Sequence, residues 1–378
     1  MKLARNREAG QVLIIVLLLL ALGPLLVVPM LRFSYSSQRY NQVTDIITLN
    51  TYAADSGVEY AKYQILNNPG TIIVSSLQEN LVIDGVSVNV TAGYNYSAAV
   101  YEITSTATKA ERSLTVDCQI VIDVGLFGHV VAVDGNLIVD RCPIISSDNE
   151  SDADLYTNGD VEIKGDSYVD GDVSASGSIT VLDTSTVTGD IYPGVEEIEF
   201  PAIKAQDLKD KAKEGGTYNG DYTLDGGIHQ LGPLYINGKL DIKNDVELEL
   251  TGVVYVNGDI SIVDTKITGF GDIVCDGTNF DIYNYSMDPD DLLILPVLMS
   301  VNSDISIKND DYGGEGATTS AIVYAPKGLI DMDNVDLEGC AAGETVNLVL
   351  STIIYPAQLR GRADLPGAGL DILTYQFK

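Results

Sequence analysis

The sequence has no tryptophan and only two histidines, His129 and His229. Its four cysteines, Cys118, Cys142, Cys275 and Cys340, include no CxxC pair. Zinc sites want close pairs of Cys or His ligands, so this spacing argues against zinc. Neither histidine belongs to a Ser-His-Asp set at fixed spacing, so nothing points to a nucleophilic triad. Positive charge is scarce too: 22 Lys and Arg stand against 54 Asp and Glu, for a net charge of −32. Affinity for nucleic acid comes from Lys and Arg neutralising phosphates, which excludes that partner class. An excess of one sign instead keeps a surface soluble through self-repulsion. Apolar residues still make up 45% of the chain, enough for a packed core.

Charge is wholly missing from residues 12–31, VLIIVLLLLALGPLLVVPML. Twenty helical residues span about 30 Å, the thickness of a bilayer core. Lys2, Arg5 and Arg7 precede the span, opposed only by Glu8. Positive flanks stay on the cytoplasmic side, which places the body outside the cytoplasm. The span ends at Leu31 and runs directly into Arg32 and Phe33, a poor context for signal-peptide cleavage, so the reading is a retained single-pass anchor. Past it, Val43, Ile46, Ile47, Tyr52, Ala53, Val58, Ala61 and Ile65 recur at roughly helical spacing. Asn67-Asn68-Pro69-Gly70 is a stop signal. One helix is therefore expected from about 11 to 66, its first half in lipid and its second half on the next domain.

The run Arg7-Glu8-Ala9-Gly10-Gln11, the apolar span and Ala53-Ala54-Asp55-Ser56-Gly57-Val58-Glu59-Tyr60-Ala61 together resemble the N-terminus of PilX-type minor pilins of type IV pilus systems. The resemblance covers about 65 residues. It implies a basic leader over 1–10, cut by a prepilin peptidase at Gly10 to leave Gln11 as the mature N-terminus, and other pilins as partners. Major pilins carry Glu five residues after the cut, whereas this chain has Ile15 there.

After Pro69 the texture alternates. Residues 71–74, 81–83, 86–91, 101–106 and 114–117 read as strands, with Asp84-Gly85 as a tight hairpin. Residues 69–125 are thus expected to form a small antiparallel sheet packed on the helix. From 126 to 378 a turn-plus-strand unit recurs, as in Asn158-Gly159-Asp160-Val161 and Asn257-Gly258-Asp259-Ile260. Glycines 135, 159, 171 and 189 are separated by 24, 12 and 18 residues. Stacked repeats of this kind make a β-solenoid, and a right-handed parallel β-helix is the expected fold. A β-sandwich is the alternative. A lysine-rich segment near 200–216 reads as a helix and loop inserted between two solenoid segments. The NGD units and Ile322-Val323-Tyr324-Ala325-Pro326-Lys327-Gly328 resemble the β-helical passengers behind PilX-like N-termini of bacterial surface proteins.

Outside the membrane an even number of cysteines permits disulfides, Cys118–Cys142 being the easiest, and buried free thiols fit equally well. Acidic clusters at 148–154, 288–291, 310–311 and 331–336 make Ca2+ the one cofactor to weigh. None has the EF-hand spacing or the GGxGxD repeat, so the reading is solvated turns without a resident cofactor. The expectation is a non-enzymatic structural or adhesive surface protein of the cell membrane. Two alternatives are an anchored polysaccharide-binding or polysaccharide-degrading β-helix, for which the 21 tyrosines offer stacking surfaces on surface glycans, and a self-stacking polymer like the bactofilin-type β-helices.

Overall fold

The computed structural model describes residues 6–67, 72, 75–95, 98–146, 153–182, 184–287, 295–310 and 318–378. The expected stop at 68–70 and most of the expected strand at 71–74 lie outside them.

Helix α1, Asn6–Asn67, is unbroken through Pro24 and Pro29 and begins before the expected leader ends. Its tail lies on a sheet whose first four strands are β1 (Leu77–Ile83), β2 (Val86–Asn95), β3 (Val100–Lys109) and β4 (Arg112–Asp123). They pair in sequence order, all antiparallel. Asp84 and Gly85 turn β1 into β2 with φ of 49° and 71°. Two positive φ values in a two-residue turn match the right-handed twist of the flanking strands. A fifth strand completes this sheet from the far end of the chain: Gly369–Phe377 pairs antiparallel with β4. The sequence pattern assigned 126–378 to the solenoid, but the last strand leaves it for the small sheet. That strand is short, alternating and locally indistinguishable from a solenoid strand, so only a long-range pairing decides its place.

Between them runs a parallel solenoid of about ten turns. Every pairing among its described strands is parallel, which rules out the sandwich alternative. Each coil presents three strand positions. In the second, Tyr222, Leu240, Ile260, Phe280, Ile305, Ile330, Val346, Leu137, Val161 and Ile179 lie in one register line pointing inward. Their outward neighbours are mostly polar, among them Asp241, Ser261, Asp281 and Glu162.

The coils do not stack in sequence order. The chain enters the solenoid in its middle at residue 131 and builds outward to 193. A strap, residues 194–216, carries it back to the opposite end. It then coils from 217 toward the middle, where 341–343 stacks on 131–133. The strap contains helix α2, Ala205–Gly215, which is the helix expected near 200–216.

Glycine marks the tight corners. A Cβ on Gly159 would meet the Gly135 carbonyl oxygen at 2.5 Å, and one on Gly177 would meet that of Gly159 at 2.7 Å. Gly171 and Gly189 belong to a second corner. The irregular spacings of 24, 12 and 18 in the sequence mix these two corners.

Candidate functional site: an apolar helix on a sheet and a strapped solenoid

The two halves of α1 meet different surroundings. Ala53, Ala54, Val58, Ala61 and Ile65 are buried against β2, β3 and β4. Small residues let the helix come close. A Cβ on Gly57 would lie 2.9 Å from methyl carbons of both Val88 and Val90 and would run into the Ser105 hydroxyl. Asn50 fixes the approach by donating from Nδ2 to the Arg112 carbonyl at 2.9 Å. Upstream, among the described side chains, Leu17, Leu20, Leu25 and Met30 are 61–73% exposed. The described helix from Ile15 is long and apolar enough to cross a membrane: its most apolar window has a mean hydropathy of 2.4 and none of that window is buried. Gly10 and Gln11 fall inside α1.

The first strand position of each solenoid coil differs from the second. Away from the solenoid ends its residues are buried on both faces, as in Val131–Val133, Leu155–Thr157, Val254–Val256 and Ile273–Cys275. The middle residues form a register line that includes Tyr235, Tyr255, Tyr324, Ala342, Ala132, Tyr156 and Tyr192. The strap runs over this line. Lys209 of α2 sits 4.7 Å from the Tyr235 ring centre and 5.6 Å from that of Tyr255. Tyr324 donates to the Pro201 carbonyl, and Phe127 packs edge-on against Tyr324 at 5.2 Å. Tyr156 donates to the Glu196 carbonyl at 3.0 Å and accepts from the Ile198 amide at 2.8 Å. Tyr156, Tyr235, Tyr255 and Tyr324 are therefore buried and do not line an open groove. Only Tyr192, at the end of the line, is open at 45% exposure.

The return segment 356–368 and the solenoid share a charge centre built around one buried cation. Arg362 is buried and donates from Nε and Nη2 to Asp364 at 2.7 and 2.9 Å, and from Nη1 to the Leu295 carbonyl at 2.9 Å. Asp272 joins them, accepting from the Val297 amide at 3.3 Å. Burial, then the Asp364 charge, pushes Asp272 up to about 6 against the pull of Arg362. Nothing in the local sequence signals this centre, because its members come from three distant segments.

The acidic turn residues have a structural task. Asp160 accepts the Ser178 amide at 2.7 Å, Asp172 the Asp190 amide at 2.7 Å, Asp221 the Lys239 amide at 2.9 Å and Asp304 the Leu329 amide at 2.8 Å. Each carboxylate thus caps the coil that stacks on it. The Ser178 amide, followed by its hydroxyl, lowers the Asp160 pKa. Among the described residues no group of three or more His, Cys, Asp or Glu is placed to hold a metal. Residues 148–152 and 288–291 and Asp311 lie outside the described residues. Asp331 is held by Lys308 at 2.7 Å and by the Asn347 amide at 2.7 Å.

All four cysteines are free and buried, so the disulfide candidates, Cys118–Cys142 included, are not joined. Cys118 lies on β4, whereas Cys142 bonds backbone carbonyls of Asp140 and Leu348 inside the solenoid. Burial raises the pKa of each thiol. His129 stacks on Tyr156 at 5.4 Å, and burial lowers its pKa to about 4, leaving a neutral ring. His229 shares a hydrogen bond with the Gly226 carbonyl at 2.8 Å.

No family model and no curated protein matches the chain. Among solved structures, the competence-associated pilin ComZ from Thermus thermophilus matches with 13% identity, covering 87% of this chain and 97% of that one. The TM-score is 0.28, too low to carry an argument.

Proposed function

We propose that the protein is a membrane-anchored, pilin-like structural component of the cell surface, which holds an acidic β-solenoid outside the cytoplasm. The observation that carries this reading is the division of one unbroken helix. Its first half leaves long apolar side chains uncovered, and its second half is seated on an antiparallel sheet. A Leu, Ile or Val left in water forgoes roughly 1.5–3 kcal/mol. A run of such residues without charge calls for a lipid surroundings, and the basic residues before it set the body on the outer side. The helix-on-sheet layering agrees with the resemblance of residues 7–61 to PilX-type pilins. Under this reading Gly10–Gln11 is the prepilin-peptidase cut and other pilins are partners.

A stacking polymer is less well supported. The outermost strands at the two solenoid ends, 191–193 and 217–219, both occupy the first strand position. A second copy stacked in register would leave the other two positions one strand short. Pro193 also removes an N–H from the terminal strand, a common block to edge pairing.

The mature N-terminus tests the pilin reading, by mass spectrometry of protein recovered from native membranes. A start at Gln11 supports it. A start at Met1 overturns the pilin assignment and leaves an ordinary single-pass anchor.

A further inference from the structure

The two solenoid pieces, 131–193 and 217–355, are neighbours in space and are joined in sequence only by the strap. They meet at a seam. There 341–343 pairs with 131–133, 346–349 with 137–140, and 353–355 with 144–146, all parallel. Side chains on both sides of it, including Ala342, Ala132, Val346, Leu137, Ile353 and Ile144, are fully or almost fully buried. Seam geometry matches that of any sequence-continuous coil pair. Val131–Val133, for instance, pairs with 341–343 below it and with 155–157 above it. The strap before α2 makes no strand pairing. It is held by the Gly194 and Val195 amides donating to Gly177 and Ala175, by hydrogen bonds at Glu196, Ile198 and Pro201, and by Phe200 against the core, while Glu196, Glu197 and Glu199 are exposed.

We infer that the seam, and not the strap, holds the solenoid together, so that a chain cut within 195–200 remains one assembled body of two pieces. The final segment also closes two edges at once. Residues 336–355 cover the open edge of the first-entered coil, and Gly369–Phe377 covers the edge of β4. Unpaired edges template aggregation. The body therefore closes only when residues 336–377 have joined it.

The test uses the full-length protein in detergent, with residues 195–200 replaced by the recognition sequence of a site-specific protease and an affinity tag after Lys378. The uncut variant must melt as the parent does. After cutting, the tagged C-terminal piece is captured and the N-terminal piece is quantified. Recovery in equal amounts, with the amides of 137–140 and 346–349 as protected from hydrogen exchange as before the cut, is the expected result. Loss of the N-terminal piece to the flow-through, or loss of that protection, overturns the inference. As a further arm, Ala132→Asp places a charge in the seam and should release the piece after cutting, whereas deletion of 369–378 should not. Capture through the tag does not depend on a membrane, so failure here is distinct from failure of the anchor reading.

Discussion

Tyr375, on the last strand of the chain, donates its hydroxyl to the carboxylate of Asp55 in the first helix. Lys378 reinforces the closure by pairing with Asp117 of β4. The two termini of the body are thus bound to each other on the small sheet. Tyr375→Phe should lower stability by about 0.5–1.5 kcal/mol, the range for an ordinary hydrogen bond, because the contact is exposed. Urea denaturation of the detergent-solubilised protein reads this out, and an unchanged midpoint would show that the contact contributes nothing.

Gly57 sits where α1 touches β2 and β3. Gly57→Leu should cost more than about 3 kcal/mol, because the added atoms meet Val88, Val90 and Ser105. Gly57→Ala should cost less, although glycine in a helix is otherwise worse than alanine by about 1 kcal/mol. Comparison with an exposed control on the same helix, Ser37→Ala, separates packing from propensity. Equal melting temperatures for all variants would refute the close contact.

Arg362 is itself buried and faces Asp272, the partly exposed Asp364 and a backbone carbonyl. Arg362→Met should destabilise the protein by about 1.5–3 kcal/mol, the range for hydrogen bonds to a charged group, since it leaves the partly exposed Asp364 and Asp272 without a counter-charge. The expected partial rescue by adding Asp272→Asn distinguishes charge imbalance from lost packing. A double-mutant cycle with zero coupling would contradict the shared centre.

Asp272 also gives a pH dependence. Its folded pKa of about 6 lies above its ordinary value of 3.8, so the folded state holds the proton more tightly than the unfolded state does. Its contribution favours folding at low pH and is lost as the pH rises from about 4 to about 6, by at most about 3 kcal/mol. Asp272→Asn should raise the melting temperature at pH 7 relative to pH 4, when each is compared with the parent at the same pH. The opposite sign would contradict the burial of an ionising carboxyl.

The layout was legible where local signals suffice. The uncharged span, the Asp84-Gly85 hairpin, the turn-plus-strand repeats and the lysine-rich helix near 205–215 each follow from residues close together. What remained hidden depends on distant partners. The entry at mid-solenoid, the seam between Ala342 and Ala132, and the departure of Gly369–Phe377 to β4 are decisions between similar strands. One sequence signal for the strap was present. The triplets Val131–Val133 and Val254–Val256 are apolar throughout, whereas 240–242 and 260–262 alternate. In these two triplets the apolar middle residue marks an outer face that is covered.

The most direct test of the central claim is the sidedness of the body in intact cells. The four native thiols are buried, so an introduced cysteine stands out. Ser37→Cys, just beyond the span, and Glu197→Cys, on the exposed strap, are treated with a membrane-impermeant thiol reagent. Labelling of both in intact cells, with the protein retained in the membrane pellet at alkaline pH, is the predicted result. Labelling only after permeabilisation, or release of the protein from the pellet, would contradict the account.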